Sequence, residues 1–165
     1  MDEMRVGLLG QSRRVWGKRG ETVRQRVELR YDWAYLVLGV DPIRKRLMWA
    51  WLERVRGVEL SEVVRQWKAQ GVVGLVWDNA AFHRSKAVGE VGLKRIYQPP
   101  YSPEVNPVER VFEEVRRYVE GRVYGSIEAK KRAVEEVLRR LESEGRLSTL
   151  VGWSYIREAF QALPQ

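Results

Sequence analysis

Two stretches, Trp77-Asp78-Asn79-Ala80-Ala81-Phe82-His83 and Pro99-Pro100-Tyr101-Ser102-Pro103-Glu104-Val105-Asn106-Pro107-Val108-Glu109, decide how this chain is read. The apolar run Val72 to Trp77 stops at Asp78 and Asn79, which describes a buried strand ending on a carboxylate. A proline-rich loop then enters a helix through Asn106-Pro107, since Asn is a favoured N-cap and Pro a favoured first-turn residue. Val108, Val111, Phe112, Val115 and Val119 recur on one face of that helix, and Glu109 lies in its first turn. Two carboxylates are thus mounted on rigid elements. Taken singly, Asp78 also suits a turn after a strand, and Glu109 the capping-box partner of Asn106.

Working outward, Trp33 to Val40 and Leu47 to Leu52 are aromatic and branched runs separated by an Asp41-Pro42 turn signal, and they predict an antiparallel pair. Leu60, Val63, Val64 and Trp67 mark one face of a helix that Gly71 ends. Leu93 to Tyr97 reads as a short strand. A second C-terminal helix runs from about Ile127 to Leu141 behind a Ser126 cap, with Val134, Val137, Leu138 and Leu141 inward and Lys130, Lys131, Arg132, Arg139 and Arg140 on its other face. The Arg- and Gly-rich segment from Arg5 to Arg30 is expected to form hairpin strands with a basic face that can meet a DNA backbone. The tail from Leu147 to Leu163 is apolar enough to pack on the body or on a partner. The sum is one mixed α/β domain spanning residues 1–165, with 127–165 a helical extension of it.

The sequence has 165 residues, 44% of them hydrophobic, with seven Trp and seven Tyr, which excludes a disordered chain. It has no Cys and one His, so disulfides, thiolate metal sites and multi-histidine sites are excluded within it; a bound metal would be held by oxygen. The formal charge of +8 points to a polyanionic partner such as nucleic acid. No apolar run approaches the ~20 residues that span a bilayer, and MDEMRVG lacks the basic then apolar order of a signal peptide, so a cytoplasmic, nucleoid-associated protein is expected.

Asp78-Asn79-Ala80 with His83, followed by Pro99-Pro100-Tyr101-Ser102-Pro103-Glu104 and Asn106-Pro107-Val108-Glu109-Arg110, resembles the DDE catalytic domain of mariner-like bacterial insertion-sequence transposases. Asp2-Glu3 and Arg13-Arg14-Val15-Trp16 resemble the first-strand acid pair and the Arg-Arg-x-Trp segment of the same family, so the likeness runs from Asp2 to about Arg116. It implies a ribonuclease H-like mixed sheet flanked by helices, with Asp2, Asp78 and Glu109 converging as catalytic and metal-binding acids. It further implies two Mg2+ (or Mn2+) ions, double-stranded DNA as transposon ends and target, a homodimer, and DNA contacts from Arg13, Arg14, Lys18, Arg19 and Arg110. The activity implied is hydrolysis of a phosphodiester at the transposon end and strand transfer into target DNA. A ribonuclease H-like nuclease without strand transfer, or a catalytically dead DNA-binding remnant, are the alternatives.

The chemistry has its own rationale. Three carboxylates in one pocket repel until cations neutralise them, and oxygen-seeking Mg2+ suits such a donor set. A two-metal centre activates the attacking oxygen and stabilises the leaving one, so no Ser, His or Cys nucleophile is required. Of the remaining acids, Glu3 should face away from Asp2 because neighbours on a strand alternate. Glu104 and Glu114 also compete as acids, and Glu113, one turn beyond Glu109, is a candidate supporting group. His83 is expected as a hydrogen-bonded border residue of the site, and Asn79 to orient Asp78 or contact substrate. With Asp2 second in the chain, the first strand is expected to be truncated and a helix-turn-helix domain to be absent. The chain alone is then expected to be weakly active or inactive, as the second frame of an element whose upstream frame supplies the missing part, a fragment, or a decayed copy.

Overall fold

The computed structural model describes residues 1–10, 16–100, 102–152 and 158. Strand β1 (Asp2–Gly7) pairs antiparallel with β2 (Trp33–Asp41), which pairs antiparallel with β3 (Arg46–Leu52). A second sheet joins β4 (Gly74–Trp77) to β5 (Lys94–Tyr97) in parallel. The two sheets meet where the Met1 ammonium donates to the Val76 carbonyl at 2.5 Å, bringing the start of β1 beside the end of β4. Helix α1 (Gly57–Ala69) leads into β4, and the single-turn α2 (Lys86–Gly89) connects β4 to β5. A 3-10 turn (Pro103–Val105) feeds α3 (Pro107–Val119), followed by α4 (Ile127–Ser143) and the short α5 (Leu147–Val151).

Alternation along the strands divides the core in two. In β1 and β2, Met4, Val6, Leu36 and Leu38 face Val108, Val111, Phe112 and Val115 of α3 and Val134, Leu138 and Leu141 of α4. The opposite face of β2 sends Val37 toward Leu60, Val63, Val64 and Trp67 of α1 and toward Leu75 and Trp77 of β4. Asp2 therefore shares its face with α3, while Glu3 faces the layer built by α1 and β4. The α1 packing needs Gly39: a Cβ there would stand 3.0 Å from the Trp67 ring. Gly71 ends α1 as expected, with a φ of +93° that suits a residue without Cβ.

The expected elements from Trp33 to Leu141 are present, with ends shifted by a few residues. Among the described residues, the expected hairpin across Arg5 to Arg30 is not. The strand ends at Gly7, two backbone bonds (Leu8 N–H to Asp32 O, Gly10 N–H to Glu28 O) continue briefly, and 16–32 carries no strand. This segment is secured by a side chain instead of a ladder, because the Glu28 carboxylate accepts from the Tyr124 and Gly125 amides (both 3.2 Å) in the turn between α3 and α4. Residues 11–15 lie outside the described residues, as does most of the tail beyond Gly152.

Lys130 also departs from expectation. It is buried, and its ammonium donates to the Gly7 carbonyl at 2.5 Å, satisfying an acceptor left over where β1 stops. Lys131 and Arg139 lie over the Trp51 and Trp49 rings of β3, at 5.6 and 5.9 Å, so part of the basic face of α4 covers aromatic surface. Among the described residues, no helix is long and apolar enough to cross a membrane.

Candidate active site

The start of β1, the end of β4 and the start of α3 come together at one end of the two sheets. Asn106 is the N-cap of α3: its Oδ1 accepts from the Val108 amide at 3.2 Å. Its Nδ2 donates to Asp2 Oδ2 at 2.9 Å, so one buried side chain both starts the helix and holds the first acid. The second Asp2 oxygen accepts from the Glu3 amide at 2.7 Å. Glu109, one turn into α3, makes no capping-box bond to Asn106, and its carboxylate has no hydrogen bond or ion pair among the described residues. It does act on Asp2 electrostatically. Burial first, then the Glu3 and Glu109 charges, push the Asp2 carboxyl up to about 6, against the pull of the Glu3 amide and the Met1 ammonium.

Asp78 closes β4. Its Oδ1 accepts from the Ala80 amide at 2.9 Å and stands 2.6 Å from His83 Nδ1, while about half of its side chain remains exposed. His83 is fully buried, stacked on Trp77 with ring centroids 4.6 Å apart and flanked edge-on by Phe82. Its Nε2 lies 3.2 Å from both oxygens of Glu3. Both ring nitrogens thus face carboxylate oxygens, an arrangement that the imidazolium satisfies with an N–H on each side. Burial pulls the His83 pKa down, but Glu3 and then Asp78 outweigh it, and the net shift is upward.

The Met1 ammonium reports the convergence from another direction: burial lowers its pKa, while Asp2, Glu3 and Asp78 all pull the opposite way. Among the described residues, no three acidic or histidine side chains form a ready-made metal cage. Two features nevertheless fit a hard divalent cation: the oxygen-only donor set of Asp2, Asp78 and Glu109, and an Asp2 carboxylate whose charge is disfavoured by burial and by its acidic neighbours.

The remaining candidates fall elsewhere. Asn79 donates to the Gln98 carbonyl at 2.7 Å and accepts from Arg84, tying the ends of β4 and β5 together. Glu113 is exposed and pairs with Arg110 at 3.1 Å on the outer side of α3. Lys18 and Arg19 are exposed on the 16–32 segment, with Lys18 3.7 Å from Glu21, and Arg13 and Arg14 lie outside the described residues. Glu114 is buried between Arg117 (2.9 Å) and Arg146 (2.7 Å), a structural ion cluster linking α3 to α5. Two residues carry more than their sequence positions reveal. Asn106 was legible as a cap but not as the partner of Asp2. Glu3 does face away from Asp2, yet it is buried against His83, and only the order in which β4 lies beside β1 discloses this.

The family model described as DDE superfamily endonuclease matches residues 1–130. The chain belongs to that family. No curated protein sequence matches this DDE endonuclease domain significantly. Among solved structures, the Mos1 strand transfer complex resembles it with a TM-score of 0.63 at 15% identity, covering 91% of this chain and 52% of that one. The Mos1 transposase paired-end complex with left transposon end gives 0.60 at 14% identity, covering 92% and 53%. A Mos1 mariner paired end complex with Mn gives 0.56 at 12% identity, covering 92% and 55%. The likeness establishes the ribonuclease H-like fold of this DDE endonuclease domain, which spans about half the length of the structures it matches.

Proposed function

We propose that this DDE endonuclease domain is the catalytic part of a transposase, cutting a phosphodiester at a transposon end and transferring the strand into target DNA. What supports the proposal is the approach of the ends of β1, β4 and α3, the elements that carry or lead to Asp2, Asp78 and Glu109, together with an Asp2 carboxyl pushed up to about 6 by burial and by the charges of Glu3 and Glu109. Those three residues are the proposed metal ligands and catalytic residues. Two Mg2+ or Mn2+ ions, when bound, supply activation of the attacking oxygen and charge stabilisation at the leaving oxygen.

The chain's own contribution is placement. Asn106 fixes one oxygen of Asp2 relative to the first turn of α3, which carries Glu109, so two of the acids are referenced to a single cap. Ala80 and His83 occupy one oxygen of Asp78 and leave its other oxygen toward the half-exposed side. Exposed Lys18, Arg19, Arg24 and Arg26 on the 16–32 segment offer phosphate contacts, and a net charge of +8 favours DNA approach. The proposed partners are double-stranded DNA and a second copy of the chain, and the proposed setting is the nucleoid. The α4 and α5 residues share the α3 core, which supports a single catalytic domain with a helical extension.

The test is Mg2+- or Mn2+-dependent nicking of a duplex carrying a transposon end, followed by a search for a strand-transfer product. Nicking lost in Asp78→Asn and Glu109→Gln is expected; nicking retained in Asp78→Asn overturns the assignment. Cleavage without any joined product would make the domain a nuclease alone.

A further inference from the structure

Beside the three acids lies a buried pair, Glu3 on β1 and His83 after β4, whose imidazole reaches Asp78 at the tip of β4. We propose that Glu3 and His83 act as a positioning pair, Glu3 fixing the imidazole so that His83 holds Oδ1 of Asp78 and presents Oδ2 to the metal. The proposal rests on the assignment of Asp78 as a metal ligand.

Three observations support it. The first is the stake in burial. His83 is fully buried and the Glu3 side chain is 7% exposed, and polar groups in such surroundings cost folding energy unless they are paired. An apolar pair would fill the same space without that demand, so a structural filler does not account for the choice of residues. The second is geometry. Glu3 presents both oxygens to Nε2 at 3.2 Å, while Nδ1 meets Asp78 Oδ1 at 2.6 Å, and the ring is locked between Trp77 and Phe82 at 4.6 Å from each. The imidazole therefore cannot rotate away from Asp78 without breaking its stacking and the Glu3 contact. The third is topology. Asp78 is half exposed, follows a strand of four residues and is otherwise held by the local Ala80 amide, whereas Glu3 lies in the three-stranded sheet and carries that sheet's rigidity across to it. Groups that hydrogen-bond a metal ligand and set its orientation are typically worth roughly 10- to 100-fold in metal affinity.

The experiment is Mn2+ titration calorimetry on the full chain and on Asp78→Asn, Glu3→Gln and His83→Asn, each checked for folding by thermal melting. Glu3→Gln keeps the shape of the side chain but weakens its hold on the ring, and His83→Asn retains a donor near Nδ1 but cannot reach Glu3. Because the chain has a single histidine, the 15N signals of His83 give a second readout without metal. The expected result is an Nε2 shift in Glu3→Gln and an Nδ1 shift in Asp78→Asn. Mn2+ affinity should fall by about 10- to 100-fold in the Glu3 and His83 variants that melt like the parent. If Asp78→Asn weakens Mn2+ binding while the folded Glu3→Gln and His83→Asn variants bind as the parent does, the positioning role is overturned. If Asp78→Asn binds Mn2+ unchanged, or the parent binds none, the underlying metal-site assignment fails instead. Unchanged 15N signals in both Glu3→Gln and Asp78→Asn would also overturn the bridge.

Discussion

Replacing Asp2 by Asn should make the protein more stable at pH 8 and less stable below pH 4. In the folded chain the Asp2 carboxyl is raised from 3.8 to about 6, by burial first and then by the charges of Glu3 and Glu109. A raised carboxyl holds its proton more tightly in the folded state, so between those two values the folded chain binds more protons than the unfolded one. The Asp2 contribution to stability is accordingly most favourable below 3.8, falls as pH rises through about 6, and is a constant penalty above that. The rise from 3.8 to about 6 corresponds to roughly 3 kcal/mol. Asn removes that penalty but offers one acceptor oxygen where Asp2 uses two, for the Glu3 amide at 2.7 Å and Asn106 Nδ2 at 2.9 Å. Losing one of these bonds returns about 1 kcal/mol. The net expectation is a gain of about 2 kcal/mol for Asp2→Asn near pH 8, turning into a loss of about 1 kcal/mol near pH 3.5. Urea unfolding in the presence of a chelator, repeated across this range, measures both. Adding Mg2+ to ~100 times its dissociation constant should stabilise the parent by about 2.7 kcal/mol and leave Asp2→Asn unmoved. A difference between the two proteins that stays the same from pH 4 to pH 8 would refute the account of why Asp2 is raised.

Asn106 should separate its two tasks. Asn106→Ser, which can still cap α3 but cannot reach Asp2, should keep most of the helix stability and lose metal affinity, whereas Asn106→Ala should also cost about 1 kcal/mol for the cap in urea unfolding. Glu28→Ala frees the Tyr124 and Gly125 amides and should make the 16–32 segment cleave faster in limited proteolysis while the melting of α3 and α4 changes little. Lys18→Ala and Arg19→Ala should each lower the slope of log affinity against log salt for duplex DNA by about 1, without changing sequence preference.

How much of this site was legible in the sequence depends on the range over which each signal acts. Local signals were sufficient for α1, α3 and α4, whose apolar faces repeat at helical spacing and whose ends carry Asn106-Pro107, Ser126 and Gly71. They were sufficient for the tip of β4, because an apolar run halted by Asp78 needs no distant partner to be read. They failed between Arg5 and Arg30. Val27, Leu29, Tyr31 and Trp33 alternate there as a strand would, but all four are exposed, so no core face anchors a ladder, and the segment is held by Glu28 reaching a turn far along the chain.

The same limit explains the two roles missed at the site. Strand alternation turns Glu3 away from Asp2, and β1 accordingly meets Asn106 on one face and His83 on the other. A charged residue on the far face of a catalytic strand is expensive to bury and so must have a partner. The chain's one histidine, five residues after Asp78, is that partner. Lys130 gives the converse case. Its neighbours Lys131 and Arg139 rest on aromatic rings at the outside of β3, and nothing local distinguishes it from them. Its burial follows from the point where β1 stops at Gly7 and leaves a carbonyl to satisfy, which is a property of the sheet and not of the helix that carries the lysine.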